Sequence, residues 1–276
     1  MTVQAALLQG TKLLEDTGIA APRLTGEVLL AHALHRDRTY LYAYPEHVLS
    51  EIEWIHYGRY LHERMSGKPT QYITGRQEFY GREFRVTPAV LIPRPETEHV
   101  VEAALDRARG ARNILDVGTG SGALAVTLQL ELGASTTATD ISTSALTVAA
   151  ENARKLGAAV KFLACDLISA LRDGTQDLIV SNPPYVPLPD APGLQREVRD
   201  YEPHVALFAG PTGLEIYERL IADAARVLRP DGLLMLELGF GTHQRVSAML
   251  GDRWSGVEIR PDLAGIPRVL VARLSG

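Results

Sequence analysis

The sequence predicts an α/β protein: a seven-stranded, mostly parallel sheet with helices on both faces, preceded by a small all-helical domain and joined to it by a β-hairpin. Three observations carry this expectation. From residue 113 onward, short Val/Ile/Leu-rich runs alternate with amphipathic helical stretches, the pattern of strands crossing over through helices. Before residue 67, apolar residues recur at helical spacing. Between the two, residues 72–92 hold short alternating stretches about a Tyr80-Gly81-Arg82 turn.

In chain order, Val3, Leu7 and Leu14, then Leu24, Val28 and Ala31, mark the apolar faces of the first helices. Ser50-Glu51-Ile52-Glu53 is a capping box that opens a further helix, which should end near Gly67 and Pro69. After the hairpin comes "LIPRPETE", Leu91 to Glu98, a loop stiffened by two prolines. Strands are expected near 113–117, 135–139, 160–164, 177–181, 232–238, 256–260 and 268–274. Helices should fill most gaps, among them Ser142 to Leu156 and Gly213 to Leu228, the latter stopped by Pro230-Asp231-Gly232. The implied domains are 1–70, 71–92 as the hairpin linker, and 93–276.

Composition bounds the function. A chain of 276 residues that is 46% hydrophobic can bury a full core in one large domain or two unequal ones. A formal charge of −5 argues against broad, sequence-independent attraction to nucleic acid. Residues 1–80 hold eight Lys/Arg against nine Asp/Glu, so the helical part has no basic arm and should meet a partner by shape. The lone Cys165 leaves no internal disulfide and no multi-cysteine zinc site, as in a reducing, cytoplasmic setting. Five of the eight histidines, at 32, 35, 47, 56 and 62, fall in the helical region without zinc-ligand spacing, so no metal is expected. The N-terminus shows neither a signal peptide nor a membrane span.

In an open sheet of this kind ligands sit outside the carboxyl ends of the strands, which puts Gly118 to Gly122, Asp140, Asp166 and Asn182 on one rim. "LDVGTGSGALA", Leu115 to Ala125, runs from strand through glycine loop to helix. Alone it also fits a loose dinucleotide fingerprint, with Asp140 about 20 residues on. The alternative is that the glycines serve only a tight turn, and Asp140 or Asp166 only a helix cap. "VSNPPYVP", Val180 to Pro187, ends a buried strand in a rigid polar tip, since neither proline can donate to a ladder.

The D-x-G-x-G-x-G of Asp116 to Gly122, the acid Asp140, the "CDL" of Cys165 to Leu167 and the NPPY of Asn182 to Tyr185 occur in an order that resembles the class I methyltransferases using S-adenosylmethionine. The resemblance implies a Rossmann-like sheet. It implies that Gly118, Thr119, Gly120, Ser121 and Gly122 let the backbone approach the donor, that Asp140 takes both ribose hydroxyls, and that Asp166 with Leu167 borders the adenine. It also gives Asn182, Pro183, Pro184 and Tyr185 the handling of a planar NH₂ group, in adenine, cytosine or glutamine. The lone pair of such a nitrogen is delocalised as in a peptide bond. The Asn182 side-chain oxygen and the Pro183 carbonyl can accept its two hydrogens, while Tyr185 offers a flat face. No basic side chain is needed, and the rate should come from orientation.

Over essentially its whole length the chain is similar to the HemK/PrmC family, the release factor glutamine methyltransferases. The likeness rests on the order of parts and on "QYITGRQEFYGREFRV" (71–86), "EPHVALFAGPTGLEIY" (202–217) and "RPDGLLMLELG" (229–239). It departs at "LTGEVLL" (24–30), where members more usually read "LDAELLL". By this likeness the substrate is the glutamine of the Gly-Gly-Gln loop of peptide-chain release factors, docked on the helical domain by a monomeric enzyme. Arg94, Glu96 and Thr97 then line the mouth of the site, or else mark a capped helix start with solvated charges. Phe84 and Pro93 either pack round the donor or belong to the core. The rivals are a methyltransferase acting on the exocyclic amine of adenine or cytosine in nucleic acid, an NAD-dependent dehydrogenase, and a non-catalytic binding module.

Overall fold

A computed structural model describes residues 1–276, which form two compact units: Met1–Arg76 with Gln195–Tyr201, and Gln77–Leu194 with Glu202–Gly276. The first unit holds α1 (Val3–Asp16), α2 (Pro22–Ala33), α3 (Arg38–Ala43), α4 (Glu51–Met65) and α5 (Thr70–Thr74). Ser50 caps α4, and Glu53 closes the capping box by accepting the Ser50 N–H at 2.7 Å. The buried stripe of α2 differs in part from the expected one: Ala31 is buried and Val28 half-buried. Leu24 lies exposed, and Gly26, Leu29, Leu30 and Ala33 face the core, at the i, i+3, i+4, i+7 positions of one helical face. Glu27 is buried there too. Burial opposes its ionisation, but hydrogen bonds from Tyr42, Arg23 and Arg38 outweigh that and bring its carboxyl down to about 2.

The second unit opens with strands β1 (Arg76–Phe79) and β2 (Arg82–Arg85). Tyr80 and Gly81 between them both have positive φ, 50° and 70°, the requirement of a two-residue type I′ hairpin turn. Phe79 and Phe84 then meet edge to face, with ring centroids 6.0 Å apart. A turn over Pro95–Thr97 leads into α6 (Glu98–Arg107), followed by β3 (Asn113–Val117), α7 (Ala123–Leu132), β4 (Ser135–Asp140), α8 (Thr143–Leu156), β5 (Val160–Ala164) and β6 (Gln176–Ser181). A two-residue strand β7 (Val186–Pro187) comes next; the helix α9 (Arg196–Tyr201) after it belongs to the first unit, a placement that no sequence pattern marked. Within that unit Glu197 of α9 pairs with Arg64 at 2.5 Å. The chain returns through α10 (His204–Leu207), β8 (Phe208–Gly210), α11 (Glu215–Val227), β9 (Leu228–Glu237), α12 (His243–Ala248), β10 (Trp254–Pro261) and β11 (Pro267–Leu274).

The main sheet has seven strands in the order β10-β11-β9-β6-β3-β4-β5, and only β11 runs against the others. Its central strands β3, β6, β9 and β11 are apolar on both faces, as a sheet covered by helices on both sides requires. Ile114, Leu178, Val180, Met235 and Val269 enter one core layer, while Leu115, Ile179, Leu234, Leu236 and Leu270 enter the other. Phe84, 0% exposed, belongs to the first layer and so packs the core rather than a donor. The chain runs β3, β4, β5 outward and then returns to β6 on the other flank of β3, which places the reversal of strand order between β3 and β6. No helix is long and apolar enough to cross a membrane.

Candidate active site

The carboxyl ends of β3 and β6 flank that reversal, and each delivers one of the motifs. Beyond β3, Gly118, Gly120 and Gly122 have φ of 69°, 55° and 84°, a left-handed path that glycine follows without strain. A Cβ at Gly118 or Gly120 would meet nothing within 4 Å, so open space lies in front of the bare backbone. Gly122 plays a different part, because a Cβ there would stand 3.2 Å from that of Ala149 and its bareness lets α7 approach α8. Beneath the loop, Asp116 accepts the Thr119 hydroxyl at 2.6 Å and the Ala125 N–H at 3.1 Å, while its second oxygen has no partner. Burial foremost, with Asp140 adding repulsion, pushes its carboxyl up to about 7.

Asp140, at the end of β4, accepts the Gly120 N–H at 2.9 Å on one oxygen and the Ser142 N–H at 2.8 Å on the other. It is not the cap of α8, since Ser142 accepts the Ala145 N–H there. Each Asp140 oxygen keeps a lone pair for a further donor. Asp166 is half exposed and accepts from Arg219 at 2.5 Å. These groups border one cavity of about 220 Å³ whose wall includes Gly118, Gly120, Asp140, Asp166, Leu167 and Asn182. Pro184 lines it as well, as does Val205 of α10. Thr119 and Ser121, both buried, line a smaller adjoining recess with Pro93, Thr97 and Asn182.

Beyond β6, Ser181 donates to the Val117 carbonyl at 2.7 Å and ties the two strand ends together. Asn182 follows, its Nδ2 donating to Thr97 Oγ1 at 3.0 Å. The Tyr185 ring packs partly on the second core layer, and burial pushes its hydroxyl up to about 12. Gly239 lies so close that a Cβ there would stand 2.7 Å from Tyr185 Cδ2. β7 pairs with β8 and fixes the chain just past the tip.

The "RPET" stretch divides between the two readings: Thr97 lines the recess beside the cavity, whereas Arg94 is tied into the fold. Arg94 donates to Glu202 at 2.5 Å, and Glu202, 1% exposed at its side chain, also accepts the Ile92 N–H at 3.2 Å. The pair clamps the proline loop. Glu96 is partly exposed, 4.0 Å from Arg268. Thr97 caps nothing with its side chain and instead donates to Glu237 at 2.5 Å. Sequence reasoning missed Glu202, Arg219 and Glu237. A signal existed for the first and last, since each stands beside the motifs in "EPHVAL" and "LMLELG".

The chain matches two family models, the PrmC N-terminal domain over residues 5–75 and the methyltransferase small domain over residues 97–189. It is 47% identical over 277 residues to the release factor glutamine methyltransferase of Koribacter versatilis (strain Ellin345), covering 99% of both chains. It is 43% identical to that of Nitratidesulfovibrio vulgaris, over 99% of this chain and 95% of the relative. Among solved structures, a methyltransferase from Pyrococcus furiosus matches with a TM-score of 0.54 at 19% identity, over 72% of this chain and 91% of that one. The hMettl16 catalytic domain matches with 0.57 at 18% identity, over 78% and 81%. These two likenesses concern the fold. Full-length identity at this level, with the glycine loop and the NPPY tip meeting at one strand reversal, means that the chain belongs to the release factor glutamine methyltransferase family.

Proposed function

We propose that this protein transfers a methyl group from S-adenosylmethionine to the side-chain amide nitrogen of glutamine in peptide-chain release factors, at the Gly-Gly-Gln loop. The observation that carries this reading is the convergence of a bare glycine backbone, Asp140 and the rigid Asn182 tip on one cavity. The residues fit the donor. The space in front of Gly118 and Gly120 admits a ligand against the main chain, and Asp140 has acceptor capacity left for two ribose hydroxyls. Asp166 and Leu167, which line the same cavity, would border the adenine. S-adenosylmethionine, when bound, supplies a methyl group on a positively charged sulfur.

The chain's own part is positioning. Asn182 Oδ1 and the Pro183 carbonyl accept the two amide hydrogens of the substrate glutamine, which fixes the nitrogen and turns its lone pair toward the methyl. Pro183 and Pro184 keep those acceptors rigid, and Tyr185 supports the flat amide. As the nitrogen–carbon bond forms, the methyl–sulfur bond breaks with its electron pair left on the now neutral sulfur, and one amide proton leaves to water. Binding the donor and orienting the nitrogen use different residues, so they should separate by mutation. Asn182→Ala should keep the fold and most of the donor affinity while lowering transfer by about 10²-fold or more. Methyl transfer to a purified release factor, beside donor titration calorimetry, checks this; wild-type turnover in the alanine variant would remove Asn182 from the mechanism. The rival reaction, on an adenine or cytosine amine, needs the same acceptors. Comparable turnover on a DNA duplex would favour it.

A further inference from the structure

Asn182 is useful only one way round. Its amide oxygen and NH₂ are nearly the same size, so a half-turn about the Cβ–Cγ bond exchanges them with little steric cost. With the NH₂ aimed at the substrate, two donors would face each other and the nitrogen would not be held. Something must therefore break the symmetry. The Asn182 NH₂ faces Thr97 Oγ1 at 3.0 Å, and Thr97 in turn faces Glu237 Oε2 at 2.5 Å. A hydroxyl has a single hydrogen. If it goes to an ionised Glu237, only lone pairs remain toward Asn182, and only the NH₂ satisfies them.

We propose that Thr97 and Glu237 are positioning residues that lock the Asn182 amide with its oxygen toward the cavity, Glu237 by taking the Thr97 hydroxyl hydrogen and Thr97 by accepting from Asn182. The inference rests on the reading of Asn182 as the acceptor for the substrate amide. The placement supports it. Glu237 is the last residue of β9 and is 2% exposed, a costly site for a carboxylate, and its side chain meets Thr97 there. Thr97 is itself buried and held from its other end, because the proline loop that carries it is clamped by Arg94 on Glu202.

The lock depends on the charge of Glu237. Burial foremost, with Glu96 adding repulsion, outweighs the Thr97 hydrogen bond and the positive charges of Arg268 and Arg94 and leaves its carboxyl pushed up to about 7. Asp116 lines the same recess as Thr97 and Asn182 and is also pushed up to about 7 by burial, so the inflection assigned to Glu237 should survive in Asp116→Asn; Tyr185 and Tyr217 are held neutral by burial far above that range. Once protonated, Glu237 can donate to Thr97 Oγ1, whose own hydrogen is then free to point at Asn182. The amide can then turn over, so transfer should fall as Glu237 gains its proton.

The test uses Thr97→Val, Thr97→Ser and Glu237→Gln in the full chain, with a purified release factor as substrate. Thr97→Val keeps the shape and should lower kcat by about 10- to 100-fold, with the donor Kd and the KM for the release factor within about twofold of wild type. Thr97→Ser should restore kcat to within about threefold of wild type. Wild-type kcat should rise through an inflection near pH 7. That inflection should be absent in Glu237→Gln and in Thr97→Val. A merely structural role would lower the melting temperature of Thr97→Val and leave kcat, its pH profile and the serine rescue unmoved. Wild-type kcat in Thr97→Val, or a persisting inflection in Glu237→Gln, would overturn the proposal. If Thr97→Val fails to fold, the pH profile of Glu237→Gln decides alone. If Asn182→Ala turns over normally, the underlying reading fails; if it is inactive while Thr97→Val is unaffected, only the lock fails.

Discussion

Gly239→Ala should slow methyl transfer without touching the donor. Gly239 sits just past β9, and its backbone is one that alanine can adopt, so the effect of the substitution lies in the added methyl group. That methyl would stand 2.7 Å from Tyr185 Cδ2 and 3.0 Å from Cγ, the base of the ring rather than a mobile end. Carbon atoms rest about 3.5–4.0 Å apart, so the ring must retreat by roughly 1 Å. The Tyr185 backbone has little room to follow, because a Cβ at Gly213 would be only 2.6 Å from the Tyr185 carbonyl, a measure of how tightly that backbone is packed. Overpacking of this kind costs about 1–3 kcal/mol of stability, which a domain of this size survives. Displacing a positioning group by about 1 Å costs about 10²-fold in rate. The assay is kcat on a release factor, with calorimetric donor affinity and a thermal melt as controls. Full activity in the folded variant would show that Tyr185 does not support the substrate; a parallel loss of donor binding would show that the ring serves the donor instead.

Two further outcomes follow from the glycine loop. Asp140→Ala should weaken donor binding by about 1.5–3 kcal/mol, the loss expected for hydrogen bonds to a charged partner, read by calorimetry; unchanged affinity would refute the ribose role. Asp116 has a raised carboxyl, so the folded state holds its proton more tightly than the unfolded chain. Its stabilising share is full below the ordinary value of 3.8 and is lost as pH rises toward about 7, amounting to about 4 kcal/mol by pH 8. Asp116→Asn should therefore shrink the fall in denaturant midpoint between pH 5 and pH 8. An identical fall in the variant would show that Asp116 does not titrate there.

Strands and motifs were legible because each depends on neighbours in sequence. A glycine loop, a ribose acid and an NPPY tip are contiguous residue types at the ends of apolar runs, and the seven strands of the main sheet fall where the apolar runs put them. What escaped depends on approach from afar. Arg94 has its carboxylate partner at Glu202 and Thr97 has its partner at Glu237, separations that no local pattern encodes. Phe84 was open between donor and core until the tight Tyr80-Gly81 turn brought it edge-on to Phe79. Leu24 fits a helical period yet lies exposed, since the buried stripe of α2 is set by where its neighbours pack and not by its own spacing.

The central claim is that the NPPY tip presents a glutamine amide. Incubating the protein with methyl-labelled S-adenosylmethionine and a purified release factor, followed by peptide mass mapping, tests it most directly. The expected result is one added methyl per release factor, on the glutamine side chain of the Gly-Gly-Gln loop, formed about 10²-fold or more slowly in the Asn182→Ala reaction. Methyl on another residue, or label incorporated into an adenine-containing duplex and not into the release factor, would contradict the account.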